Sequence, residues 1–231
     1  NVAYCIGHNT TGEYAFSLDG NEQFQSIDAF RTHWEKLNEE ESLYSFFNHL
    51  LFIEQPLHRD VALNYGLKSE FDQWQDRPPI IIDESDATLE CLPAALEIGY
   101  AGTSHKNCKG IFKGIANACL LVHHQRLGMK TVMSGEDLCN VGPIAVIQDL
   151  AVMSILGIES VERNGHHYMA GLSQFPESTQ KQVLAAHPGL YKPSANNWPT
   201  IDIQNGQINL ASVNSQPFGT GFELNLGEFE E

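Results

Sequence analysis

Three short apolar runs in this chain end on acids. One closes at Asp19 (SLD), the next at Glu54 (LLFIE) and the third at Asp83, with Glu84 directly after it (PIIIDE). A buried strand that ends on a charge needs something to receive that charge. Parallel strands in a barrel bring their C-terminal ends to one rim, so three such strands in succession aim three carboxylates at one mouth. Bare carboxylates a few ångströms apart repel, and one or more would take up a proton. A divalent cation removes the conflict. An all-oxygen donor set suits a hard ion, Mg²⁺ or Mn²⁺, and three carboxylates leave about half an octahedron for water and substrate oxygens. Helix N-capping or plain surface charge would account for any one of these acids, but not for three strands in a row. Glu84 reads as a hydrogen-bonding neighbour of the ligands, with an exchange of roles with Asp83 also open.

A fourth run, YAGTSHK, delivers Lys106, and Lys109 follows three residues later. A lysine beside a metal ion feels cationic repulsion, which lowers its pKa and makes it usable as a general base. Metal plus base suggests removal of a proton next to a carboxylate, with the metal stabilising the enediolate. The same place would also suit Lys106 as an electrostatic clamp on a substrate carboxylate, and Lys109 as a solvated lysine. In MSGED, one of Glu136 and Asp137 points inward while the other caps the helix that starts near Pro143. Asn21, Glu162, Asn164 and His166 are the candidate substrate-binding residues of the rim. His166 and His167 are adjacent on an extended segment and point opposite ways, so at most one of them enters the site. No third nitrogen or sulfur ligand lies near them for zinc.

These residues need elements to hold them. The runs read as strands over 14–19, 50–54, 79–83, 100–106, 130–137 and 158–162. Between them lie helical stretches: SIDAFRTHWEKLNEE with Ser26 as N-cap and Phe30, Trp34 and Leu37 at helical spacing, then GIFKGIANACLLVHHQRLG and GPIAVIQDLAVMSILG, each ending at a glycine. His123 and His124 fall on a helix as surface or packing residues. Strand–helix alternation with strands apolar on both faces is the pattern of parallel βαβ units. The expected fold is therefore α/β, a (β/α) TIM-type barrel. No GxGxxG follows the first strand, which removes the signature of a dinucleotide fold. Six units leave the barrel two strands short of the eight that take about 250 residues, so it is expected to be incomplete at its N-terminus. The chain opens on Asn rather than Met, and is expected to be a piece of something longer. From about residue 174, Pro, Asn, Ser and Gly become frequent. NNWPTIDIQNGQINLAS reads as a hairpin turning at Asn205-Gly206, and GEFEE as an acidic tail. The whole of 1–231 is expected to be one barrel domain, with 174–231 as its C-terminal segment.

The 231 residues are 42% hydrophobic and 18% charged, enough for a sizeable core. A net charge of −16 argues against a nucleic-acid or anionic-membrane surface. The five cysteines include no CxxC pair, so reduced thiols in the cytoplasm are expected, packed as small buried hydrophobes. No apolar run reaches membrane-spanning length.

SLDGNEQF, LLFIEQPL, PIIIDES and SHKNCKG, in this order, resemble the third to sixth barrel strands of the enolase superfamily, in its mandelate racemase/muconate lactonising branch. LGIESVERNG resembles the eighth strand and QPFGTGFELNL the glycine-rich closing segment. The resemblance implies Asp19, Glu54 and Asp83 as Mg²⁺ ligands, Lys106 as the strand-six base, Lys109 as its companion, and Glu136 near an acidic position at the end of strand seven. It also implies a small carboxylic acid as substrate and a homo-oligomer, with dehydration or epimerisation/racemisation as the outcome. The racemase-type histidine on strand seven is missing. By the same resemblance, the capping domain, toward which the C-terminal segment would pack, and the first two strands are expected to lie outside the 231 residues given. Two other readings stay open. One is a barrel glycoside hydrolase that uses paired carboxylates without a metal. The other is an inactive partial barrel whose strand edges pair with another segment.

Overall fold

A computed structural model describes residues 2–136, 142–162, 170–216 and 219–229. The fold is α/β. Among the described residues its main sheet has six strands: β1 (Phe16–Asp19), β2 (Leu50–Glu54), β3 (Ile80–Ile82), β4 (Gly102–His105), β5 (Val132–Glu136) and β6 (Val161–Glu162). Each of the six runs read as strands forms one; 50–54 keeps its bounds, 14–19, 130–137 and 158–162 begin later than read, 79–83 and 100–106 are shortened at both ends, and residue 137 lies outside the described residues. The strands are ordered β1-β2-β3-β4-β5-β6. The pairings β1/β2, β2/β3, β3/β4 and β5/β6 are parallel. A doubly wound sheet reverses its strand order at a switch point. Here order in space follows order in the chain throughout, as it does in a run of (β/α) barrel units.

By internal contacts the chain divides into two compact units. The first is Asn1–Ser104 with Ala116–Met133, and the second is His105–Ile115 with Ser134–Glu231.

In the first unit, the helix Ile27–Asn38 starts where its cap predicts: the Ser26 hydroxyl accepts from the Ala29 amide at 3.2 Å. The helix buries Ile27, Phe30 and Trp34. They join Ile53, Phe71, Trp74, Ile80 and Ile82 in one core, where Phe71 is fully buried. The Tyr100 hydroxyl donates to the Ala62 carbonyl at 2.8 Å, and burial raises its pKa. The stretch between β1 and β2 also forms a 3₁₀ turn, Glu41–Leu43, and one helical turn, Tyr44–Phe47. Helices Val2–Asn9, Leu67–Gln73 and Cys91–Ile98 had no sequence expectation. Val2–Asn9 buries no residue, whereas Leu67–Gln73 buries Leu67 and Phe71, and Cys91–Ile98 buries Leu92, Ala95, Leu96 and Ile98. At Gly102 a Cβ would lie 1.7 Å from the Val132 carbonyl oxygen, so β4 and β5 approach more closely there than any side chain permits.

In the second unit, the helix Ala145–Ile155 packs Val146, Ile147 and Leu150 with Leu172, Val183 (from the helix Glu177–Ala186), Leu190 and Ile201. The hairpin forms as read: Ile203–Gln204 pairs antiparallel with Gln207–Ile208, and Asn205 (φ 51°) and Gly206 (φ 74°) both take the left-handed conformation that this tight turn requires. A further antiparallel pair, Tyr191–Pro193 with Pro199–Ile201, precedes it. His187 is fully buried. Its Nε2 donates to the Thr220 carbonyl at 2.5 Å, which leaves Nδ1 to accept from the Ser212 hydroxyl at 3.2 Å.

One expectation fails outright. The cysteines are not buried hydrophobes: Cys5, Cys108 and Cys119 are exposed and Cys91 is half-buried. Cys119 lies on the solvent side of the helix Ile111–Arg126, and Cys108 is the exposed residue of the 3₁₀ turn Asn107–Lys109. A cysteine's burial is set by the face its backbone presents, and a small side chain costs little on either. Cys139 lies outside the described residues.

Candidate functional site

Within the first unit, the ends of β1, β2 and β3 bring acids together. Asp19 is the register partner of Glu54 across the parallel β1/β2 pair. Glu54 pairs with Ile81 on β3, and Asp83 follows that strand directly. Glu54 is 7% exposed and Asp83 3%. They offer carboxylate oxygens within 4.8 Å of each other. The apolar runs explain the burial, because Phe52-Ile53 and Ile80-Ile81-Ile82 anchor both strand ends in the core. Two buried carboxylates at this separation fit a hard, oxygen-seeking cation such as Mg²⁺ or Mn²⁺, with room left in its coordination sphere for further oxygens.

Asp19 stands differently. It is exposed, and both its oxygens are engaged by Asn21: the main-chain amide donates to Oδ1 at 2.7 Å and the side-chain amide to Oδ2 at 2.9 Å. Asp19, Glu54 and Asp83 do not form a set of mutually close ligand atoms among the described residues. Asn21, expected to bind substrate, thus holds Asp19 in place. The next residue, Glu22, accepts from the main-chain amide and the guanidinium of Arg59, the latter at 2.7 and 2.6 Å. That bidentate bond holds its carboxyl below the usual range.

Glu84 is half-buried, and its pKa is raised. Burial is the main cause, followed by the charges of Asp83, Asp19 and Glu22. Its Oε2 is buried without a hydrogen-bond partner. It sits among the acids, as its sequence position implies.

Sequence reasoning passed over Gln55. It is 1% exposed and joins the turns that follow β2 and β3. It also missed Asp86, 2% exposed, whose Oδ2 accepts from Thr103 on β4 at 2.9 Å and from Asn117 at 3.0 Å. Neither carried a distinguishing signal in sequence: Gln55 stands between Glu54 and Pro56, and Asp86 follows Asp83-Glu84-Ser85.

In the second unit, Lys106 at the end of β4 forms an ion pair of 2.5 Å with Glu136 at the end of β5. Their side chains are 13% and 16% exposed. An ammonium facing a carboxylate in a largely dry place is well held. Lys109, half-buried, closes the 3₁₀ turn Asn107–Lys109 after β4. His105 is buried, with Nε2 3.0 Å from the Asn107 side-chain oxygen. Glu162 ends β6 and is exposed. Asn164 and His166, with Asp137 and His167, lie outside the described residues. His123 and His124 lie in the last turn of the helix Ile111–Arg126.

No family model matches this chain, and no curated protein matches it significantly. Among solved structures, it is similar to a mandelate racemase/muconate lactonizing enzyme from Roseiflexus sp., with a TM-score of 0.41 and 21% identity. That similarity covers 63% of this chain and 37% of that one, so the chain spans little more than a third of that protein's length.

Proposed function

We propose that this chain carries part of an enolase-superfamily-like barrel whose reaction is cation-dependent removal of a proton α to a carboxylate, leading to dehydration or to epimerisation/racemisation of a small carboxylic acid. One observation carries the reading: Glu54 and Asp83, buried at the ends of adjacent parallel strands, have carboxylate oxygens within 4.8 Å of each other. Carboxylate oxygens at this separation are the donor type and spacing that a hard divalent cation takes. Glu54 and Asp83 would hold Mg²⁺ or Mn²⁺, with Asp19 reaching it by releasing its bonds to Asn21. Bound there, the cation supplies Lewis-acid stabilisation of negative charge on a substrate carboxylate.

Lys106 is the proposed base. As base, its Nζ takes the substrate proton, and Glu136 stabilises the ammonium that results. The same ion pair favours a second role, in which Lys106 stays an ammonium and clamps a substrate carboxylate. The whole protein's substrate, its assembly as a homo-oligomer and a cytoplasmic setting belong to this proposal too. No described helix is long and apolar enough to cross a membrane.

Calorimetric titration with Mg²⁺ and Mn²⁺ tests the cation. Saturable binding that is lost in Glu54→Gln supports it, whereas no binding to the wild-type chain favours metal-free chemistry by the paired carboxylates, as in glycoside hydrolysis. Exchange of solvent deuterium into a candidate substrate tests Lys106. If Lys106→Ala abolishes exchange while substrate still binds, Lys106 is the base. If exchange continues at the wild-type rate, it is not.

A further inference from the structure

Gln55 follows Glu54 directly and occupies the left-handed region at φ 32°, which costs a non-glycine residue on the order of 1 kcal/mol or more. Something must repay that strain. The side-chain amide uses all four of its hydrogen-bonding positions. Nε2 donates to the Leu57 carbonyl at 2.7 Å and to the Ser85 hydroxyl at 2.8 Å. Oε1 accepts from the main-chain amides of Asp83 at 2.7 Å and Ser85 at 3.2 Å. These partners define which end of the amide is oxygen, since two N–H groups face one end and a carbonyl the other. The main chain of Gln55 is held as well: its N–H donates to the Ile81 carbonyl at 2.9 Å, and its carbonyl accepts from the Glu22 amide at 2.8 Å. One residue thus ties together the turns that follow β1, β2 and β3.

We infer that Gln55 is a positioning residue for the cation site: by fixing the Asp83 main chain from the residue next to Glu54, it sets the spacing of the two buried carboxylates and so the affinity for the cation. This rests on the cation reading proposed above. An isolated aspartate after a strand could swing its backbone by ångströms. Here its amide is pinned at 2.7 Å to a side chain whose own Cα adjoins that of the other acid. Partners that orient ligands in this way typically contribute about 10–100-fold to metal affinity.

The test uses Mn²⁺ as probe, with affinity read by calorimetry or by the paramagnetic resonance of the free ion, well below each variant's melting temperature. Gln55→Met keeps the side-chain length and removes all four bonds. It is expected to weaken Mn²⁺ by about tenfold or more. In a double-mutant cycle, Gln55→Met is expected to add little in the background of Asp83→Asn, because it acts through Asp83. Hydrogen exchange of the cation-free variant should speed up at Asp83 and Ser85 while Ile80–Ile82 stay protected. Should Gln55→Met not fold, Ser85→Ala, which removes a single partner, is expected to weaken Mn²⁺ several-fold. Unchanged affinity in the folded variant, or full additivity with Asp83→Asn, overturns the inference. A wild-type chain that binds neither Mn²⁺ nor Mg²⁺ overturns the cation reading itself, so the two failures are distinct.

Discussion

Asp19 and Glu54 are register partners on β1 and β2, yet Glu54 is buried at 7% exposure while Asp19 is exposed and has both oxygens bonded to Asn21. Equal positions in the strand pair therefore carry unequal electrostatic weight. Glu54→Gln, which keeps shape and removes charge, is expected to abolish measurable Mg²⁺ binding while the variant stays folded. Asp19→Asn is expected to weaken binding less, because its carboxylate must first leave Asn21. Calorimetry on the two variants checks this, and equal losses would contradict it.

The Lys106–Glu136 pair is expected to contribute to stability as well as to chemistry. Lys106→Met should destabilise the chain by roughly 1–3 kcal/mol, less than the loss of one partner from a fully buried pair because both side chains keep some solvent contact. Lys106→Met combined with Glu136→Gln should cost less than the sum of the two single changes. Urea unfolding of the three variants measures the coupling; strict additivity would mean that the pair is energetically idle.

Stability should depend on pH through His187. Burial lowers its pKa below the usual histidine value, against the opposing effect of its bond to Thr220. The unfolded chain then binds the proton more readily than the folded one. Stability is full above the ordinary histidine pKa of about 6.5 and falls as pH drops below it toward the lowered folded value. Thermal melts between pH 5 and pH 8 should show this slope, and His187→Gln should flatten it. An unchanged slope in His187→Gln would assign it to other groups.

Gly102→Ala is expected to be strongly destabilising, by about 3 kcal/mol or more, because the new Cβ would fall 1.7 Å from the Val132 carbonyl and force β4 and β5 apart. Denaturant unfolding compares it with Gly206→Ala, where a Cβ meets nothing and only the left-handed backbone (φ 74°) is strained. That change should cost about 1 kcal/mol. Similar costs at the two glycines would argue against the close strand approach.

Much of the fold was legible because it rests on local pattern. The six apolar runs became strands, Ser26 capped its helix, and Asn205-Gly206 turned its hairpin. Each follows from side-chain period, backbone preference or a cap within a few residues of chain. The acids at the strand ends were legible too, since a carboxylate closing a buried run is conspicuous in one dimension. Which acids close on one another was not. Asp19 and Glu54 look alike in sequence, and only the bonds from Asn21 and the burial of Glu54 separate them. Gln55 gave no sign of its role, because its partner Ser85 lies 30 residues further along the chain. Lys106 meets Glu136 from the next strand of the sheet at a similar remove. The sequence by itself determined the strands, their order and the kinds of group at their ends. The tertiary structure decided which of those groups are dry, which are held and which face each other, because hydrogen-bond geometry and desolvation arise only when distant segments pack.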